Sequence, residues 1–224
     1  MRRALAAALL ATAAAAASGA GEIAGAVLVL ETAPGAPGSD PSAAPPRFVL
    51  LKDGQVFVGG SSHVEAGRLE KNEAQALLKR AAALRRVPGI GSAISFGGRG
   101  DLVCRLRLLE GEPLEVQATG EPALAPAALA PIATLLADLA GFHHPSLRPH
   151  APSSYALAVR EARLAGGCRA WSFPFPIAEA LAGPRVVPAV DAAGWPTGAM
   201  PASVCVDDRR YVVTLRPLLP GETP

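Results

Sequence analysis

Residues 141–150 read GFHHPSLRPH and place His143, His144 and His150, three of the chain's four histidines, within eight positions of one another. Neutral imidazole is a common metal ligand, so the cluster raises the question of a metal centre. Ser61, Ser62 and His63 raise a second one, a serine nucleophile beside an imidazole base with a distant Asp to orient it. Each chemistry has a geometric requirement. A zinc site needs ligand spacing that closes on one ion, as two histidines one helical turn apart do in His-Glu-x-x-His, and no such spacing occurs here. A serine hydrolase needs its nucleophile to meet the base in space and to face oxyanion donors, which adjacency in sequence does not provide.

The elements around the histidines argue for a plainer role. PAALAPIATLLADLA carries Leu129, Ile132, Leu135, Leu136 and Leu139 on one helical face. Pro131 restricts the start of that helix to Ala127–Ala130, where a proline falls in the first turn. Gly141 then sits where a terminating glycine belongs, Phe142 where a residue packs back on the last turn, and Pro145 where the helix cannot continue. GFHHP is therefore first a helix stop. His143 and His144 near a helix C-terminus gain from the dipole when protonated, and Pro145 and Pro149 make the following backbone extended, so that neighbouring histidines point apart. The expectation is no metal, no cofactor and no catalytic residue at this segment.

Upstream, AVLVLET (residues 26–32) reads as a strand and PGAPGSDPSAAPP (34–46) as a Pro/Gly/Ser-rich connection. RFVLLKDGQVFVGG is a hairpin around Asp53-Gly54, a pair suited to a type I′ turn. GRLEKNEAQALLKRAAALRR follows with Ala74, Leu77, Leu78, Ala81 and Leu84 on one helical stripe. Glu70 and Glu73 at its start and Lys79, Arg80, Arg85 and Arg86 toward its end suit the helix dipole, which accounts for the basic end without an anionic partner. GIGSAISFGGRGD matches neither a dinucleotide fingerprint nor a phosphate loop. Its Arg99-Gly100-Asp101 spells an adhesion tripeptide, but a glycine loop before a strand accounts for it. LVCRLRLLEGEPLEVQAT alternates as a second hairpin with one buried face, on which Cys104 sits with Leu102, Leu106 and Leu108.

The first twenty residues, MRRALAAALLATAAAAASGA, have the basic start, uncharged run and small-residue end of a secretory signal peptide. The run Ala4–Ala17 is shorter than the roughly 20 residues that span a bilayer. Arg2 and Arg3 belong to this segment, and taking them from the 21 basic side chains leaves 19 against 19 acidic ones. A neutral mature chain lacks the electrostatic footprint of a nucleic-acid binder. The sequence thus implies a signal peptide over 1–20, an N-terminal α+β domain over 21–148 and a smaller C-terminal α+β unit over 149–224. The fold class is α+β, with antiparallel hairpins packed on two amphipathic helices.

In the C-terminal unit SYALAVREA reads as a strand, IAEALAG as a short helix, and SVCVDDRRYVVTLRPL as a closing hairpin. Trp171, Phe173 and Phe175 suit the core of a unit with few other aromatics better than an exposed peptide or glycan platform. Three cysteines in an exported chain allow one internal bridge. Cys104 reads as a buried small hydrophobe, so Cys168 and Cys205 are the expected pair, with three free thiols as the alternative.

GWPTGAMPASVC and RRYVVTLRPLLPGE resemble the C-termini of uncharacterised secreted proteins and lipoproteins of high-GC bacteria, and RFVLLKDGQVFVGG with its amphipathic helix does so too. The likeness runs from about Val27 to Glu222 and implies location and architecture; it carries no activity. The chain differs from the lipoprotein members in having no acceptor cysteine after its signal. Together these features imply an exported, soluble, non-catalytic module, secreted or periplasmic, that binds a protein or small-molecule partner. The competing reading is a secreted hydrolase using Ser62 and His63 or a His143/His144 metal site. Export with cleavage predicts a mature N-terminus near Gly21, and N-terminal sequencing of the exported protein checks it; full-length chain with Arg2 and Arg3 in washed membranes is the contrary result.

Overall fold

The computed structural model describes residues 23–34, 47–59, 63–90, 94–98, 102–162, 167–198 and 201–223. The signal segment, most of the Pro/Gly/Ser connection, Ser61, Ser62 and the Arg99–Asp101 triplet lie outside them. The described residues form an α+β structure with two mostly antiparallel sheets. The N-terminal part runs β1 (Ala26–Pro34), β2 (Phe48–Leu51), β3 (Gln55–Gly59), β4 (Val64–Arg68), α1 (Lys71–Ala83), β5 (Ile94–Ser95), β6 (Leu102–Leu108), β7 (Leu114–Thr119), α2 (Ala130–Ala140) and β8 (Arg148–His150). Its strands make an eight-stranded sheet in the order β5-β7-β6-β1-β2-β3-β4-β8. The C-terminal part runs β9 (Ser154–Glu161), β10 (Arg169–Ala170), α3 (Ile177–Leu181), β11 (Arg185–Pro188), β12 (Ala202–Val206) and β13 (Arg209–Pro217). These strands form a five-stranded sheet, β10-β12-β13-β9-β11.

The central strands of the large sheet are apolar on both faces. Side chains alternate faces along a strand, and cross-strand neighbours share a face. One row, Leu30, Phe48 and Val58 in register with one another and with Leu106, is joined by Leu28, Leu50, Val56 and Leu108 against the helices. The opposite row, Val29, Val49 and Phe57 in register, packs with Val64, Ile23 and Leu219. Toward β6 that outer face becomes charged. Glu31 lies opposite Arg105, and its carboxylate meets Arg107 Nη2 at 2.8 Å. Burial pushes the Glu31 carboxyl above its ordinary range against the pull of both arginines.

Both large helices follow the apolar stripes. In α1 Glu73 Oε2 accepts the Glu70 N–H at 2.8 Å, half of a capping box, and Ala81 is buried with Leu84 just beyond the helix end. In α2 Pro131 falls in the first turn and Ile132, Leu135, Leu136 and Leu139 are buried. Arg47 Nε donates to the otherwise orphaned Ala140 carbonyl at 2.6 Å and its Nη1 donates to Gly59 O, tying the helix end to β3. Gly141 ends α2 at φ −98°, outside the left-handed region, while Phe142 packs edge-on against Phe48 at 5.0 Å.

The two hairpin turns differ from each other. At Asp53-Gly54 only Gly54 has positive φ, and the Gly54 N–H closes on Leu51 O, so this is a longer turn ending in a left-handed glycine and not the expected type I′. Asp53 has another use: its carboxylate accepts the Gln55 N–H and pairs with Arg68, which lowers its pKa. Positive φ at both central residues occurs at Asp207 and Asp208 between β12 and β13. Gly120 has φ +92°, and a Cβ there would lie 2.1 Å from Gly97 O, so glycine alone lets β5 approach the end of β7.

The C-terminal part closes with a disulfide between Cys168 and Cys205, Cα atoms 5.6 Å apart, beside the parallel pairing of β10 with β12. Cys104 is a buried free thiol whose pKa is raised by burial. Phe173 and Trp195 are buried with rings stacked at 4.5 Å, Trp171 and Phe175 are partly buried, and the Arg169 guanidinium lies 4.3 Å over Trp195. The aromatics are therefore mainly core. After β13 the chain returns to the large sheet: Leu219 joins the outer row, and Glu222 bridges to Ile23. Glu222 is held by two contacts, its Oε2 accepting the Leu219 N–H at 2.8 Å and its Oε1 pairing with fully buried Arg216. Breaking this pair from one side should be costly, since Arg216 would be left buried and unpaired. Glu222→Ala is expected to lose about 3–5 kcal/mol in denaturant unfolding, whereas the double change Arg216→Met/Glu222→Leu should lose far less.

Candidate functional site

The histidines do not converge. His150 lies on β8 opposite Val64 and sets its ring edge-on to Phe57 at 5.4 Å. His143 is exposed in the turn after α2, and His144 faces the other way, into the gap between α1 and β4. Among the described residues no group of three or more His, Cys, Asp or Glu side chains is placed to hold a metal ion. Of the serine and histidine pair at 62–63, only exposed His63 is described.

His144 nevertheless belongs to an acid–imidazole–hydroxyl chain absent from the sequence-derived candidates. Its Nδ1 lies 2.7 Å from Ser146 Oγ and its Nε2 lies 3.5 Å from Glu73 Oε1. The Ser146 backbone nitrogen lies 3.2 Å from the same Nδ1. The order of groups is that of a hydrolytic triad, but the hydroxyl is spent elsewhere. Ser146 Oγ accepts the Arg68 N–H at 3.0 Å and donates to the Arg68 carbonyl at 2.9 Å. It acts as a bridging residue at the end of β4, close over Gly67, where a Cβ would stand 2.5 Å from Oγ. A nucleophile must pass its proton to the imidazole; here the backbone carbonyl holds it. Glu73 is shared as well, with its second oxygen capping α1. The cluster joins three elements, the start of α1, the end of β4 and the α2–β8 turn.

The more promising surface is a groove of about 600 Å³ between the C-terminal end of α1 and the first half of α2. Leu84, Val87 and Leu135 form its buried floor, and exposed Pro88, Ala128 and Pro131 its walls. Arg80, Arg86 and Thr134 supply its polar atoms. Nearby arginines differ in how far they are neutralised. Arg80 pairs with Asp138 at 2.5 Å and Arg85 meets Glu112, whereas Arg86 is exposed with no ion pair among the described residues. The helix dipole explains a basic helix end in general, but does not distinguish Arg86 from its paired neighbours. A second depression, about 440 Å³, lies between the β2–β3 turn and α1; its Arg68 and Asp53 are paired with each other.

Comparison with family models, curated proteins and solved structures finds no match to the chain. Ser146 as a structural bridge predicts that Ser146→Ala costs about 1–2 kcal/mol in thermal or denaturant unfolding, because the Arg68 N–H and carbonyl lose their partner. Hydrolysis of activated esters should remain at the level of the buffer for both proteins; measurable wild-type turnover abolished in Ser146→Ala is the opposite outcome.

Proposed function

We propose that this chain is an exported, soluble, non-catalytic binding module of the cell envelope, and that the groove between α1 and α2 is where its ligand or partner is held. The observation that carries the reading is the groove itself, an open apolar trough between two helices with a few polar groups at its rim, a form common to ligand sites. Export rests on the N-terminal signal pattern, and the disulfide agrees with an oxidising compartment. No helix among the described residues is long and apolar enough to cross a membrane. The resemblance to secreted proteins and lipoproteins of high-GC bacteria supports the same location.

Thr134 and Ala128 are exposed at the groove, so a bulky residue there fills it without disturbing the core. The test is native mass spectrometry of mature protein recovered from the envelope fraction, wild type beside Thr134→Trp. A bound mass present in wild type and missing from the folded variant is expected. The same bound mass in both proteins places binding elsewhere and contradicts the reading.

A further inference from the structure

We infer that the groove between α1 and α2 takes a single-chain amphiphile with a monoanionic carboxylate head, as in a fatty acid, with the chain along the Leu84–Leu135 floor and the carboxylate at Arg86. This assignment rests on the binding-module reading and gives it a ligand class. Three features of the groove select the ligand. First, its volume of about 600 Å³ suits a small ligand better than a protein domain. Second, its walls offer little to a peptide backbone. Pro88 and Pro131 have no N–H, and the Val87 N–H is already donated to Leu84 O. The carbonyls of an extended peptide would find no backbone donor at these three residues, whereas a hydrocarbon chain needs none. Third, the charge balance favours one negative charge. Arg86, with no ion pair among the described residues, can grip a carboxylate with two N–H groups, while the charge of Arg80 is already met by Asp138, so the groove offers one unpaired positive charge, which matches a monoanion.

The mature full chain can be titrated by isothermal calorimetry with decanoate, decanol and decyltrimethylammonium, in wild type, Arg86→Gln and Thr134→Trp. Both positions are exposed, and thermal unfolding confirms that the variants remain folded. Saturable one-to-one binding of decanoate is expected, with decanol about fivefold weaker and the cation weaker still. Arg86→Gln should weaken decanoate about fivefold and leave decanol unchanged; Thr134→Trp should abolish both. Absence of saturable decanoate binding, or an Arg86→Gln variant that binds it as wild type does, overturns the carboxylate assignment. If the three amphiphiles bind equally and Thr134→Trp abolishes all of them, the anionic selectivity fails while the groove reading survives. If decanoate binds and Thr134→Trp leaves it intact, both fail.

Discussion

The structure depends on the large sheet being apolar on both faces at its centre. Strands β1, β2 and β3 bury alternating residues toward the helices, yet Val29, Val49 and Phe57 in between are also buried. A sheet with two apolar faces needs two covers. The helices α1 and α2 provide one. The other includes both ends of the described chain, with Ile23 before β1 and Leu219 after β13 meeting over the same row. The buried Arg216–Glu222 pair and the bond from the Leu219 N–H to Glu222 then hold the returning segment in one register. The expected division at residue 148 is crossed by this return, and by β8, which pairs with β4.

The parts of this architecture that were legible in the sequence are those with local periodicity. The stripe in α2 and the restriction imposed by Pro131 located that helix to within a few residues, and the alternation around Cys104 identified the buried face of β6 at Cys104, Leu106 and Leu108, whereas Leu102, expected on the same face, is exposed. The Cys168–Cys205 bridge followed from the inward placement of Cys104 and the small core of the last unit. Less legible were elements defined by their partners. VEAGR in β4 and RVVP in β11 are short and weakly patterned, and they become strands through pairing with β3 and β9. The Asp53-Gly54 pair marks the turn but not its type, because the Asp53 side chain binds Gln55 and Arg68, which the dipeptide alone does not reveal.

The same distinction applies to function. His143, His144 and His150 form a cluster along the chain, and the helix stop followed by a paired strand sends them to different surroundings. The Glu73–His144–Ser146 chain joins residues far apart in sequence, and the closest local signal was a serine two positions after His144. The groove depends on two amphipathic helices brought side by side, with Asp138 neutralising Arg80 and Arg86 left without an ion pair among the described residues. Sequence showed a basic helix end; only the pairing distinguishes one arginine from the others. The two helices that line this groove are themselves one of the two covers of the large sheet, so the groove depends on the sheet beneath it.

Amide hydrogen exchange on the full chain with Leu219→Asp tests the two-cover account most directly. A charge at that buried position should expel the returning segment from the outer row. The account predicts that protection falls throughout β1, β2 and β3, in step with the loss of global stability, although these strands lie far from residue 219 in sequence. Unchanged protection in β1–β3, with loosening confined to β9–β13, would contradict it by showing that the large sheet is stable without its second cover.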